Sequence, residues 1–165
     1  MQTEQMDFLE RRYKARSWHG RTKHAGRVLK GISLEDFAPA GWTLSRKTVD
    51  ERAKTKAVRS LWARGASSGE LLAVDLFECA SAKAAHDQVL EALANMQSSE
   101  IEMRTGAGAP GDVAFSLGST LSLFAIANLV VLVRNAGSSV VSVEKVARDL
   151  ETVAVKHLKR RPGRE

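Results

Sequence analysis

Residues 111–134, GDVAFSLGSTLSLFAIANLVVLVR, are the most apolar stretch of the chain, and any fold it adopts must bury them. A membrane helix needs about 17 to 25 apolar residues, so length alone would permit one here. The composition of the stretch argues for strands instead. Ser116, Gly118, Ser119, Thr120, Ser122 and Asn128 cut it into short pieces, and Val130, Val131 and Val133 favour a pleated, half-buried surface. The spacing predicts strands at 112–117, 120–126 and 129–135. Turns are expected at Gly118-Ser119 and Ala127-Asn128, because Gly and Asn tolerate positive φ, and Asn128 is expected at an exposed corner.

A chain of 165 residues has room for one domain with a sizeable core, and 44% hydrophobic with 27% charged residues excludes a wholly disordered chain. Cys79 is the single cysteine, so neither an intramolecular disulfide nor a cysteine-based zinc cage is available. The first residues, MQTEQMDFLERRYKARSW, lack the apolar segment of a secretory signal, which leaves the cytoplasm as the default expectation. No membrane span is expected.

Charge is distributed unevenly along the chain. Between Arg11 and Lys30 there are eight Lys or Arg residues and no acid: Arg11, Arg12, Lys14, Arg16, Arg21, Lys23, Arg27 and Lys30. Five more basic residues lie between Lys156 and Arg164, whereas residues 70–155 hold eleven acids against five bases. Opposite balances of this kind can draw a basic arm onto its own domain. The division read from the sequence is an N-terminal helix and basic arm over 1–32, a single domain over 33–158 and a basic tail over 159–165.

Thr3 is placed to cap a helix running to Arg16, with Met6, Leu9 and Tyr13 as a thin apolar stripe. Residues 17–31 mix glycines with cations and read as a linker, and Leu34 to Phe37 as one helical turn before Pro39. A weak strand is expected over 42–49. Helical and strand periods compete over 50–64, and a strand at 56–64 is preferred because the loop 65–69 and a clear strand at 70–78 then complete a hairpin. Ser81 caps a helix to Met96, 101–105 is a short strand, and the stripe of Val143, Val146, Ala147, Leu150, Val153, Ala154, His157 and Leu158 marks a final helix. This order of elements implies an α+β fold: a mainly antiparallel sheet with the two main helices packed on one face.

Several motifs suggest chemistry and fail on inspection. Gly106, Gly108 and Gly111 spell GxGxxG, but Pro110 lies within it and strand-like VAFSL follows where a dinucleotide site needs a helix. Cys79 and His86 are a possible nucleophile and base, although lone cysteines are more often buried hydrophobes. His86 and Asp87 are sequence neighbours about 100° apart on a helix, so they cannot form a relay with each other. His19, His24 and His157 belong to no metal-ligand spacing, and no cofactor or metal is expected.

The expected function is therefore a small non-enzymatic domain that binds a partner or itself, as a homodimer. The alternative is binding of nucleic acid or another polyanion by Arg11, Arg12, Lys14, Arg16, Trp18, Arg21, Lys23, Arg27 and Lys30. In that alternative the cations neutralise phosphates and Tyr13 and Trp18 stack on bases.

Overall fold

The computed structural model describes residues 3–20, 23–24, 26–31, 33, 36–52, 54–65 and 69–160. Among the described residues, three α-helices, α1 (Thr3–Tyr13), α2 (Ala82–Met96) and α3 (Glu144–His157), and a 3-10 helix (Ala15–Gly20) accompany nine strands. Seven strands form one sheet: β2 (Thr43–Arg52), β3 (Thr55–Arg64), β4 (Glu70–Glu78), β5 (Glu102–Arg104), β6 (Val113–Leu117), β7 (Leu121–Ile126) and β8 (Leu129–Asn135). Their order is β2-β3-β4-β8-β7-β6-β5, and every neighbouring pair is antiparallel. The remaining two, β1 (Arg27–Val28) and β9 (Lys159–Arg160), make a separate two-stranded ladder. The chain is thus α+β with an antiparallel sheet, and no helix among the described residues is long and apolar enough to cross a membrane.

The apolar stretch becomes β6, β7 and β8 at the sheet's centre, and its alternate residues serve two separate cores. Leu123, Ala125, Val130 and Leu132 pack with α1 and α2, whereas Phe124, Ile126, Leu129, Val131 and Val133 pack with α3. Two helices do share one face, but they are α1 and α2. The other main helix, α3, covers the opposite face, where Val146, Ala147, Leu150 and Ala154 are buried. Strands buried on both faces read as nearly continuous apolar runs, which is why this stretch resembled a membrane span.

Residues 55–64 are strand throughout, paired with β4 from Lys56↔Glu78 to Arg64↔Glu70. Residues 66–68 of the intervening loop lie outside the described residues, as do residues 34 and 35 of the short helical turn expected before Pro39. Ser81 caps α2, its hydroxyl accepting from the Ala84 N–H at 3.1 Å. α3 begins without a side-chain cap hydrogen bond.

Asn128 does not occupy an exposed corner. In the two-residue turn between β7 and β8 it is Ala127 that takes positive φ (50°), while Asn128 is 4% exposed with its side chain turned inward. The Ala127 N–H is held at 2.8 Å by Asp112 Oδ2, which fixes a conformation that an alanine rarely adopts alone.

Candidate functional site

The basic segment is built into the fold rather than hung from it. Tyr13 and Trp18 are core residues: the Tyr13 hydroxyl donates to the Ile101 carbonyl at 2.8 Å, and Trp18, 0% exposed, donates its Nε1–H to the Tyr13 carbonyl at 3.0 Å. Trp18 lies edge-on to His86 and tilted against Phe115. Arg12 donates to the carbonyls of Ser99 and Ile101. Arg11, Lys14, Arg16, Lys23, Arg27 and Lys30 are exposed, and Arg21 lies outside the described residues. Neither buried ring can stack on a base without leaving the core, so the segment presents cations alone.

Two buried polar side chains fasten this segment to the sheet. Asn128 Oδ1 accepts from the Leu29 N–H at 2.7 Å, and its Nδ2 donates to the carbonyls of Leu29 and Cys79 at 2.7 and 3.0 Å. Asp112 Oδ1 accepts from the Lys23 N–H at 2.8 Å and lies 3.4 Å from His24 Nδ1. Nothing in the composition of residues 17–31 announced that Asn128 and Asp112, about a hundred residues away, would satisfy their backbone. Leu29 and Phe37 are buried in the α3-face core that also holds Val58 and Trp62, with Trp42 half-buried against it.

Gly111 belongs to the same construction. With φ at +67°, it brings its backbone against the Ala125 carbonyl so closely that a Cβ would collide with that oxygen. The GAGAPG segment connects β5 to β6, and its last glycine serves this close approach.

A cleft of about 730 Å³ opens beside Asn128 and Cys79, rimmed by Lys30, Glu51, Lys54, Lys56 and Glu78. Its chemistry is limited by the thiol. Burial, and then the charges of Glu78 and Asp87, push Cys79 up to about 11, so the nucleophilic thiolate is scarce at neutral pH. The Cys79 Sγ faces the Phe77 carbonyl at 3.8 Å, whereas the His86 ring meets Trp18. Among the described residues no group of three His, Cys, Asp or Glu side chains is placed to hold a metal.

The surface that stands out lies at the other end of the sheet, on the α1/α2 face. α2 covers Phe77, Leu123 and Val130 but stops short of the strand ends beyond them. There Leu61 and Ala63 of β3, Leu71 and Ala73 of β4 and Leu121 of β7 are only half-buried. They share a face because they are direct cross-strand partners: Leu61↔Ala73, Ala63↔Leu71, Ala73↔Arg134 and Leu121↔Arg134. Arg59, Arg134 and Arg46 border the patch. Arg59 lies over the Phe77 ring at 5.6 Å, and Arg134 Nη2 is 3.8 Å from Asp75 Oδ2. Burial raises the Asp75 carboxyl above its ordinary range, opposed by Arg134 and then Arg59.

This corner was not anticipated from the sequence. The signal was present in the alternation of β3, where Arg59, Leu61 and Ala63 occupy one face and Val58, Ser60 and Trp62 the other. Next to the corner runs β2, which among the described residues is an edge strand paired with β3 alone, its ten residues all exposed except the half-buried Asp50.

Compared with protein-family models, with curated proteins and with solved structures, the chain has no match.

Proposed function

We propose that this protein is a non-enzymatic binding and self-association domain whose working surface is the uncovered corner of the sheet together with edge strand β2. The observation that carries this reading is the patch of Leu61, Ala63, Leu71 and Ala73, half-buried on the face that α1 and α2 cover elsewhere, with Leu121 beyond Arg134 at its margin. Apolar side chains bordered by arginines are the composition of protein-binding surfaces, in which Arg is enriched. The protonated Cys79 thiol favours a binding domain over a cysteine-dependent enzyme. A photoreactive residue in place of Leu61 or Ala73 should crosslink to polypeptide in cells, while one in place of Glu91 on the outer side of α2 should not. Equal yields at both places, or no polypeptide adduct at the corner, would overturn the reading.

A second reading is favoured by one backbone feature. The β1–β9 ladder sets Arg27 opposite Arg160 and Val28 opposite Lys159, joining the two basic segments of the chain. A polyanion bound there would be held by charge alone, with affinity falling steeply as salt rises. Binding of single-stranded nucleic acid that is steeply salt-dependent and weakened by Arg27→Ser with Lys159→Ser supports this reading, and absent or salt-independent binding removes it.

A further inference from the structure

Among the described residues strand β2 pairs on one side only, so its outer edge presents a row of backbone groups able to template another strand. Its sequence, TLSRKTVDER, places basic residues before acidic ones, an order that becomes self-complementary when a copy runs antiparallel. A bulge at Ser45 ends the regular part of the strand at Arg46, leaving Arg46 to Arg52 in continuous register with β3.

Symmetry narrows the registers such a pairing can take. In an antiparallel ladder, hydrogen-bonded and non-hydrogen-bonded pairs alternate. In a two-fold dimer, the pair i with j and its mate j with i must be of the same kind, so they are an even number of residues apart and one residue lies on the axis opposite itself. An axis through Lys47, Asp50 or Glu51 places like charges face to face. An axis through Val49 sets Lys47 opposite Glu51 but also Arg46 opposite Arg52. An axis through Thr48 sets Arg46 opposite Asp50 twice over, with no like-charged pair directly opposed. On the other face it lays each Lys47 stem across Val49, which is 52% exposed, and leaves the ammonium diagonal to Glu51.

We propose that two copies of this chain associate through β2, antiparallel about a two-fold axis at Thr48, with Arg46 of each copy paired to Asp50 of the other. The inference rests on the proposed function and names the partner at one part of its surface. Arg46, Thr48 and Asp50 share the α1/α2 face with the uncovered corner, since their partners on β3 are Leu61, Arg59 and Ala57. An axis perpendicular to the sheet keeps that face on the same side in both copies, so the two seven-stranded sheets become one and the two corners lie along a single surface. Asp50 already holds Arg52 at 3.0 Å within its own chain, at an exposed position, and Arg46 of the second copy arrives as a second cation. Edge pairing alone buries less area than a standard stable interface, so the association is expected at micromolar concentrations rather than nanomolar ones.

The test combines light scattering with site-directed crosslinking. The native protein should shift from monomer to dimer with rising concentration. Arg46→Glu should raise the dissociation constant about tenfold or more, because two attractive pairs become two repulsive ones, and Arg46→Asp combined with Asp50→Arg should restore it. Under mild oxidation Thr48→Cys should give a disulfide-linked dimer and Val49→Cys much less; Cys79, 5% exposed, supplies the background. A monomer at every concentration with no crosslink at position 48 overturns the proposal. So does a dimer that is indifferent to Arg46→Glu, or one that crosslinks better at position 49. If the dimer fails while position 61 still crosslinks to another polypeptide, the binding domain stands without its self-association; if both fail, the proposed function falls with it.

Discussion

The outer strands β3 and β4 carry two faces that a chain of alternating residues would be expected to treat alike, yet they end differently. On the α3 face Val58, Trp62, Leu72, Val74 and Leu76 are buried at 4% exposure or less. On the other face Leu61, Ala63, Leu71 and Ala73 remain half-buried and Arg59 is exposed. The difference lies in what crosses each face. Leu29, Phe37 and Trp42 add to the cover that α3 begins, while the core under α1 and α2 takes in Ala57 and Phe77 but not Leu61, Ala63, Leu71 or Ala73. A regular strand therefore does not guarantee a closed core; the connecting segments decide which face is left for a partner.

The sharpest way to break this comparison is at two neighbouring residues on opposite faces. Trp62→Ala removes a buried ring and leaves the Ser60 hydroxyl without its indole partner, so a loss of about 3–5 kcal/mol is expected in urea unfolding. Next in size is Asn128→Ala, which strands the backbone of Leu29 and the carbonyl of Cys79. About 2–4 kcal/mol should be lost, with faster amide exchange across residues 26–31 if this side chain holds the covering segment in place. Leu61→Ala should cost no more than about 1 kcal/mol, since a half-exposed leucine makes fewer contacts and leaves no sealed cavity. A cost equal to that of Trp62→Ala would mean that the corner is closed after all.

The smallest effect concerns Asp75, at the inner margin of the corner. Because burial raises its carboxyl in the folded state, its contribution to stability is fully present below the ordinary carboxylate range and is lost as pH rises through the raised value. Asp75→Asn should therefore melt above the native protein at neutral pH, with the gap closing as the solution is acidified. A gap that widens in acid would show that the attraction of Arg134 and Arg59 outweighs burial.

Most of the secondary structure was legible in the residues. The β-branched run at 129–135, the capped stripe of 82–96 and the stripe of 144–157 each declare their period, and those signals are local. The strand at 55–64 was legible only through its neighbour, since the hairpin with β4 resolved a period that the segment alone left open. Which helix meets which face is not legible in the strands, because alternation in β7 and β8 reports that both faces are apolar without reporting which helix covers each. The uninterrupted hydrophobicity of 129–133 was itself the sign of two covered faces.

The candidate site divides in the same way. By itself the sequence determined that the chain carries a basic segment, a lone cysteine outside any metal spacing, and an apolar centre long enough for three strands. Only the tertiary structure decided that Trp18 is core, that Asn128 and Asp112 bind the backbone of the basic segment, and that β2 is an edge beside an uncovered corner. The physical reason is range. Propensity and periodicity act over a few residues, whereas the hydrogen bonds between Asn128 and Leu29 join groups about a hundred positions apart.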